Sequence, residues 1–153
     1  MPKIREIMTP DPITLGPETE IVPAARLLLE KRINGAPVVD GQGNLIGILC
    51  QSDLIAQQKK IPLPSVFLLA DSILPLVSQK NIEKELKKIA ALRVAEAMTP
   101  DPVTVGPEME LEEAATLMVD RNFHTLPVVE NGRLVGVVGK EDILRTLLPS
   151  KEE

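Results

Sequence analysis

The stretch MTPDPITLGPE (8–18) returns 90 residues later as MTPDPVTVGPE (98–108), and only two of its positions differ. The repeat continues beyond this phrase, because AARLLLEKRINGAPVVDGQGNLIGILCQSDLI (24–55) aligns with AATLMVDRNFHTLPVVENGRLVGVVGKEDIL (114–144). The second copy is shorter by one residue in the turn. Two copies are too few for a solenoid or a propeller. We therefore predict two similar units that pack face to face about an approximate twofold axis.

Each copy predicts the element order β-α-β-β-α, which corresponds to an α/β (α+β) fold. The first strand is expected at PITL (12–15) and PVTV (102–105), because β-branched residues favour strands. Helical spacing of apolar residues predicts helices over 21–32 and 111–122. The remaining predicted elements are short: strands at 36–40, 45–50, 126–130 and 134–138, and helices that begin near 52 and 141.

Several local signals refine this prediction. Asn131-Gly132 is a strong signal for a two-residue hairpin, and Met-Thr-Pro is expected to end a preceding short helix. Gly47 and Gly136 interrupt apolar strands, which predicts close packing between the copies or, alternatively, a closely approaching ligand. The first long helix is expected to bury a stripe made of Ile21, Ala24, Ala25, Leu28 and Leu29.

Residues 57–93 join the copies, so the predicted organisation is one repeat at 1–56, a bridge at 57–93 and a second repeat at 94–153. The bridge contains an apolar run, SVFLLADSILPLV (65–77), followed by a helix that Asn81 is expected to cap. It is long for a plain linker. We expect it to pack on the pair or on a second copy of the chain, while a ligand lid or a partner-docking segment stays open as an alternative.

Composition narrows the functional classes. The chain has two Phe, no Trp, no Tyr and a net charge of −5, whereas nucleic-acid readers use aromatic platforms and basic faces. DNA or RNA binding is therefore not expected. One histidine, one cysteine and the lack of a metal-spaced cluster or a Gly-rich phosphate loop argue against an enzyme. No signal peptide or membrane span is recognisable, so a cytoplasmic protein is expected.

Together, MTPDPITLGPETEI, GAPVVDGQGNLIGILCQSDL and their later copies resemble the cystathionine-β-synthase (CBS) domain, over 4–56 and 94–148. Two such domains in tandem resemble a Bateman module, here expected as a standalone CBS-domain protein. The resemblance implies a pseudo-twofold pair with two clefts between the sheets. It also implies that the clefts bind adenosine-containing ligands such as AMP, ADP, ATP or S-adenosylmethionine, and that the pair forms a homodimer.

Within this resemblance, Asp53 and Asp142 match the aspartate that ends the family motif Gly-φ-φ-Thr/Ser-x-x-Asp (φ, apolar) and accepts hydrogen bonds from ribose hydroxyls. A carboxylate suits two adjacent hydroxyls, although it would equally suit the first turn of a helix. The chain departs from the motif, since Cys50 and Gly139 stand at the Thr/Ser position. Ser52 either replaces the hydroxyl or, as preferred, caps the helix. Cys50 is expected to be a small buried residue.

The resemblance also implies an adenine wall made by the first strand and the start of the PVV strand. Its candidate residues, which are otherwise ordinary sheet positions, are Thr14, Ala36, Thr104 and Leu126.

The candidate phosphate contacts are Lys140 and His124, with Arg121 and Arg145 nearby, although His124 is equally compatible with a solvated surface. All four belong to the second copy, so the two clefts are expected to be unequal. Exposed N–H groups at the starts of the final helices are a further candidate.

Two functional hypotheses follow. The first is a non-enzymatic sensor module in which an adenine nucleotide is a regulatory ligand, with no catalytic cofactor and no metal. The second is a protein-interaction or structural dimer module whose clefts are degenerate, which the missing Thr/Ser hydroxyls favour. The first predicts that adenosine ligands bind and stabilise the protein. The second predicts no response to these ligands and predicts instead an unidentified protein partner.

Overall fold

The computed structural model describes residues 2–58 and 92–148. The first copy contains α1 (Ile4–Ile7), β1 (Thr9–Pro10), α2 (Ile21–Glu30), β2 (Gly35–Val39), β3 (Leu45–Cys50) and α3 (Gln51–Gln58). The second contains α4 (Val94–Ala97), β4 (Thr99–Pro100), α5 (Leu111–Arg121), β5 (Thr125–Glu130), β6 (Arg133–Gly139) and α6 (Lys140–Arg145). The predicted cap at Asn81 and the apolar run 65–77 lie outside the described residues.

The long helices and both hairpins confirm the sequence prediction. Helices α2 and α5 lie within the predicted ranges. Strands β2 and β3 pair antiparallel, as do β5 and β6. Asn131 and Gly132 both have positive φ, 52° and 79°, as the tight turn between β5 and β6 requires. The predicted helix ending before Met-Thr-Pro is also present, as α1 and α4.

The predicted buried stripe of α2 is wrong at one position. Ile21, Ala24 and Leu28 are buried, whereas Leu29 is 70% exposed. Each helical residue turns the side chain by about 100°, so the residue after Leu28 points away from the sheet. Ala25 is half-buried at the edge of the stripe.

The first strand of each sheet comes from the opposite copy. Strand β1 pairs with β6, with Thr9 opposite Val137, and β4 pairs with β3, with Thr99 opposite Ile48. The two three-stranded sheets therefore have the orders β1-β6-β5 and β2-β3-β4. We call 3–10 the first exchanged arm and 93–100 the second exchanged arm.

The strands predicted at 12–15 and 102–105 are wrong except at their last residues. Leu15 makes only an isolated parallel bridge with Val38, and Val105 does the same with Val128. Two hydrogen bonds hold Leu15: its N–H donates to the Pro37 carbonyl (2.9 Å) and its carbonyl accepts the Val39 N–H (2.9 Å). The proline-interrupted phrase turns too sharply to pair further. Its strand pairing occurs instead just before the predicted strands, in β1 (Thr9–Pro10) and β4 (Thr99–Pro100).

The exchange places each arm in the core of the other copy. Ile4 is fully buried among residues of the second copy, including Val105 and Val128. Val94 is fully buried in the first copy, with Leu28 and Leu49. The buried residues of both cores are Ile, Leu, Val, Ala and Met, in a chain that has two Phe and no Trp or Tyr.

Both strand glycines confirm the predicted close approach between the copies. A Cβ added at Gly47 would lie 3.0 Å from the Thr99 carbonyl oxygen and 2.5 Å from Met98 Sδ. A Cβ at Gly136 would lie 2.9 Å from the Thr9 carbonyl oxygen. Real Cβ atoms essentially never approach as closely as 2.9 Å, and a 3.0 Å approach is tighter than nine in ten real Cβ contacts. Glycine therefore lets each arm lie flat against its sheet.

Candidate functional site

The larger of two cavities lined by described residues, here named cleft 1, has a volume of about 520 Å³ and lies between the copies. Ligand pockets in proteins usually measure about 300–1,000 Å³. Its lining combines the end of β3 and the start of α3, the phrase after the second exchanged arm, and the segment that leads into β5. One wall of cleft 1 is therefore supplied by the exchange.

The symmetry-related cavity, cleft 2, is much smaller, at about 120 Å³. Its lining includes Thr9 of the first exchanged arm, Arg32, Asn34, and Asp142 and Arg145 of the second copy. The residues equivalent to Asp101, Pro102 and Val103, which line cleft 1, are not part of it. The two cavities therefore differ in volume, and of the four basic residues predicted near the phosphate, three line cleft 1 while Arg145 lines cleft 2.

Asp53 sits at the junction of β3 and α3, inside cleft 1. Its Oδ2 accepts the backbone N–H of Cys50 (2.8 Å), and its Oδ1 accepts the hydroxyl of Thr99 (3.2 Å) from the second exchanged arm. The carboxylate thus closes the strand-to-helix turn with one oxygen and faces the other copy with the other. Since each carboxylate oxygen has two lone pairs, Asp53 keeps acceptor capacity toward the cleft.

Asp142 occupies the equivalent place at the start of α6, and it is only 7% exposed. Its Oδ2 accepts the Gly139 N–H (2.8 Å), as Asp53 does with Cys50. Its Oδ1, however, forms an ion pair with an Arg145 guanidinium nitrogen at 2.7 Å. Asp142 and Gly139 line cleft 2, whereas Asp53 lines cleft 1.

Cys50 is half-buried rather than buried and lines cleft 1. Burial, with a smaller contribution from the Asp53 charge, raises the pKa of its thiol to about 11. The thiol is therefore protonated near neutral pH, and it is no nucleophile there because the thiolate is the reactive form. The expectation of a small buried residue is wrong, because the end of β3 opens into the cavity and leaves Cys50 half-buried.

Ser52 also lines cleft 1, but its predicted capping role is wrong. Helix α3 begins at Gln51, so Ser52 is already inside the first turn, where its side chain is exposed. The side chain of Gln51 instead donates to the Ile33 carbonyl (3.0 Å) and ties the helix start to the end of the α2 segment.

Three basic side chains of the second copy line cleft 1: Arg121, His124 and Lys140. All three are exposed at the cavity, and Arg121 ends α5 while Lys140 begins α6. Leu126 is almost fully buried and contributes to the same wall. Cleft 1 thus combines an apolar wall, the carboxylates of Asp53 and Asp101 and a cationic rim.

Three residues predicted for the adenine wall line neither cavity. Thr14 and Thr104 are exposed. The residues that follow them, Leu15 and Val105, form the bridges and point inward. Because successive side chains of an extended chain point to opposite sides, the two threonines point outward. Ala36 is fully buried opposite Leu49 in the sheet.

The sequence prediction missed Thr99, Asp101 and Phe123, which line cleft 1. Thr99 and Asp101 belong to the repeated phrase, and their position in this cavity depends on the exchange. Phe123 lies in the segment between α5 and β5, directly before His124, which was predicted. For Thr99 and Asp101, the near identity of the phrase in both copies was the one signal in the sequence.

Within 2–58 and 92–148, no group of three or more His, Cys, Asp or Glu side chains could hold a metal ion. Over the same ranges, no helix has both the length and the apolar character that a membrane crossing demands.

Comparison with known proteins identifies the same architecture. A family model described as the CBS domain matches residues 4–60 and 94–149. An uncharacterized protein of Methanocaldococcus jannaschii is 32% identical over 155 residues, covering 95% of this chain and 90% of that protein. The chloroplastic CBS domain-containing protein CBSX2 of Arabidopsis thaliana is 32% identical over 146 residues, covering 90% of this chain and 59% of that protein.

Solved structures of CBS pairs share the fold. CBSX2 in complex with AMP matches with a TM-score of 0.71 and 28% identity, covering 95% of both chains. The CBS domain pair of protein MJ0100, in complex with 5′-methylthioadenosine and S-adenosyl-L-methionine, matches with a TM-score of 0.71 and 26% identity, covering 96% of both chains. These relatives therefore include pairs that hold adenosine-containing ligands.

Proposed function

The chain belongs to the CBS-domain family, and from this we propose that it is a non-enzymatic regulatory module that binds an adenosine-containing ligand in cleft 1. The observation that carries the proposal is the cavity itself. It is large enough for a nucleotide, is lined by both copies and holds the Asp53 carboxylate at the start of a helix. Relatives with the same fold bind AMP or S-adenosylmethionine.

The lining of cleft 1 divides into parts that match a nucleotide. Asp53 has acceptor capacity for ribose hydroxyls, and bonds to a charged acceptor are stronger than neutral ones. Val103 and Leu126 provide apolar surface for a base in a chain that has no Trp or Tyr. Arg121 and Lys140 provide cations for phosphate, with His124 between them along the chain.

This charge pattern favours a phosphorylated ligand over S-adenosylmethionine. Arg121 and Lys140 attract phosphate oxygens, and an arginine can bind them with two parallel hydrogen bonds. S-adenosylmethionine has no phosphate for these two cations to bind. We propose AMP, ADP or ATP as the ligand class.

The ligand would act by holding the two copies in one arrangement. Cleft 1 joins α3 of the first copy to the second exchanged arm, and the Thr99–Asp53 hydrogen bond already crosses this junction. A ligand shifts such an equilibrium only through different affinity for the two arrangements. A partner protein would read the arrangement that the nucleotide stabilises.

Isothermal titration calorimetry with AMP, ADP, ATP, adenosine and S-adenosylmethionine tests the proposal. AMP or a longer nucleotide should bind, and Asp53→Asn should weaken binding by about tenfold or more, because a hydrogen bond to a charged group contributes about 1.5–3 kcal/mol. Asp142→Asn is the matched control, since it makes the same change outside cleft 1. No heat with any adenosine compound at millimolar concentration would leave the interaction module with degenerate clefts as the better hypothesis.

We also propose that the pair forms a homodimer through its exposed helical faces. Leu29 and Val119 occupy equivalent positions in the two copies and are 70% and 79% exposed. Ile55 and Leu144 are a second equivalent pair, at 62% and 56%. An apolar surface that is repeated by an approximate twofold axis is suited to self-association. Sedimentation of the wild type against Leu29→Glu/Val119→Glu tests this, and a monomeric wild type would contradict it. The cytoplasmic location stays a prediction.

A further inference from the structure

In cleft 2, a side chain of the protein itself, Arg145, already binds the aspartate carboxylate. Asp53 and Asp142 use Oδ2 identically, since each accepts the N–H three residues earlier at 2.8 Å. Their Oδ1 atoms differ. In cleft 1, Oδ1 accepts a neutral hydroxyl from Thr99 at 3.2 Å, whereas in cleft 2 it accepts the Arg145 guanidinium at 2.7 Å. The charged bond is the shorter and stronger type.

The difference comes from one position in the final helix. Arg145 stands three residues after Asp142, on the same face of α6. The equivalent residue three positions after Asp53 in α3 is Ala56, which cannot reach the carboxylate. The two clefts therefore share the aspartate and differ in whether the chain supplies its own cation.

A second contact spans cleft 2. The side-chain amide of Asn34, from the first copy, donates to the Glu141 carboxylate at 3.0 Å, and both residues line the cavity. Their equivalents at cleft 1 are His124 and Ser52, which line the larger cavity. The serine side chain is too short for the corresponding bridge. Both closing contacts thus depend on residues that the first copy lacks.

We propose that Arg145 is a specificity-determining residue that keeps cleft 2 closed to the ligand of cleft 1, so that each chain binds one nucleotide. The inference rests on the proposed function. A ribose entering cleft 2 meets a carboxylate that is 8% exposed and already paired with a guanidinium, whose own side chain is 67% exposed. The neutral ribose hydroxyls are weaker donors to this carboxylate than the guanidinium is. The cavity of about 120 Å³ also lies below the usual range for ligand sites.

The test is the number of AMP molecules bound per chain, measured by calorimetry on the full chain with AMP as the probe. The wild type should bind one. Glu141→Ser/Arg145→Ala, which gives cleft 2 the two residues found at cleft 1, should bind two. Asp53→Asn added to this variant should weaken one of the two sites and spare the other. Arg145→Lys keeps a cation and should still bind one.

The reciprocal substitution places an arginine beside the aspartate of cleft 1, at the position equivalent to Arg145. Ala56 is exposed on α3, so Ala56→Arg places a guanidinium three residues after Asp53 and should weaken AMP binding by about two- to fivefold, because an ion pair with an exposed arginine contributes up to about 1 kcal/mol. Arg133→Ala, at the exposed start of β6, lines neither cavity and should bind one AMP with unchanged affinity. Thermal unfolding of each variant verifies that it is folded.

The outcomes separate the two proposals. Two AMP molecules on the wild type, or one on Glu141→Ser/Arg145→Ala, would overturn the role of Arg145 and leave the proposed function intact. AMP binding only after Arg145 is removed would support the closure of cleft 2 and overturn cleft 1 as the ligand site. No AMP on the wild type or any variant would overturn both.

Discussion

The exchanged arms and the clefts beside them have diverged to different degrees. The first arm buries Ile4 in the second copy and the second arm buries Val94 in the first, and each arm lies against a strand glycine. The clefts, by contrast, measure about 520 and 120 Å³. Ile4 and Val94 are fully buried, and Met8 and Met98 lie against the strand glycines, so few substitutions fit at these arm positions. Side chains that face a cavity have fewer neighbours and tolerate more change, which lets the two clefts differ on a nearly symmetric scaffold.

The same contrast separates two roles of one aspartate. Oδ2 of Asp53 and of Asp142 makes the same turn-closing bond in both copies. Oδ1 faces the cleft and has a different partner in each copy. The turn-closing bond of Oδ2 is thus the same in both copies, as the buried arm positions are. The partner of Oδ1, which faces the cleft, differs between the copies, as the cavities do.

The strongest way to break the symmetry of the arms is to empty the core position of one arm. Ile4→Ala should destabilise the protein by about 2–5 kcal/mol, because it leaves a cavity in the second copy. Val94→Ala should cost about 0.5–1.5 kcal/mol less, the usual difference for one methylene. Urea unfolding monitored by circular dichroism measures both.

Val22→Ala is the control, since Val22 is 42% exposed on α2, and it should change stability by no more than about 0.5 kcal/mol. An Ile4→Ala protein as stable as the wild type would show that the first arm is not part of the second core.

The strand glycines sharpen the comparison, because they should respond equally. Gly47→Ala and Gly136→Ala should each cost about 1–3 kcal/mol. Met98 and Met8 can move their sulfur atoms aside, but the Thr99 and Thr9 carbonyls at 3.0 and 2.9 Å cannot move without breaking the strand pairing. Thermal unfolding gives the two values side by side.

Gly106→Ala is the matched control, since a Cβ there would meet nothing within 4 Å. A cost for either Gly47→Ala or Gly136→Ala that is more than twice the cost of the other would contradict the view that both arms pack in the same way.

The sequence was sufficient to predict what depends on local chemistry. Helical spacing located α2 and α5, Asn131-Gly132 located the β5–β6 turn, and the two strand glycines predicted close approach. The exchange was not predictable, because a phrase that is nearly identical in both copies pairs equally well with either sheet. The strand expected at 12–15 was wrong for a different reason: the proline-interrupted phrase turns too sharply, so only its last residue, Leu15, forms a bridge.

The candidate site was predictable to the same extent. The motif located Asp53 and Asp142, and the distribution of basic residues predicted unequal clefts. Thr99 and Asp101 were missed because the exchange brings them to cleft 1. The pairing of Arg145 with Asp142 was accessible in principle from their spacing of three residues, yet its effect on cavity volume depends on packing across both copies.

The smallest expected effect concerns an ion-pair cluster that only the first arm has. Arg5 donates to Glu108 (2.9 Å) and to Glu130 (2.6 Å), and these carboxylates raise the pKa of its guanidinium. The equivalent residue of the second arm is Ala95. Because all three side chains are exposed and screened by salt, Arg5→Ala should lower Tm by no more than about 3 °C, and the difference should shrink at high ionic strength.

Ala95→Arg tests whether this cluster can be transferred to the second arm, where Glu18 and Asp40 stand at the positions equivalent to Glu108 and Glu130. We expect a smaller rise in Tm than Arg5→Ala loses, because the Asp40 carboxylate already accepts the backbone N–H groups of Asn44 and Gln42, which lower its pKa. Unfolding at low and high salt measures both changes. A rise in Tm from Ala95→Arg that is larger than the loss from Arg5→Ala would contradict the view that Asp40 is less available to an arginine than Glu130 is.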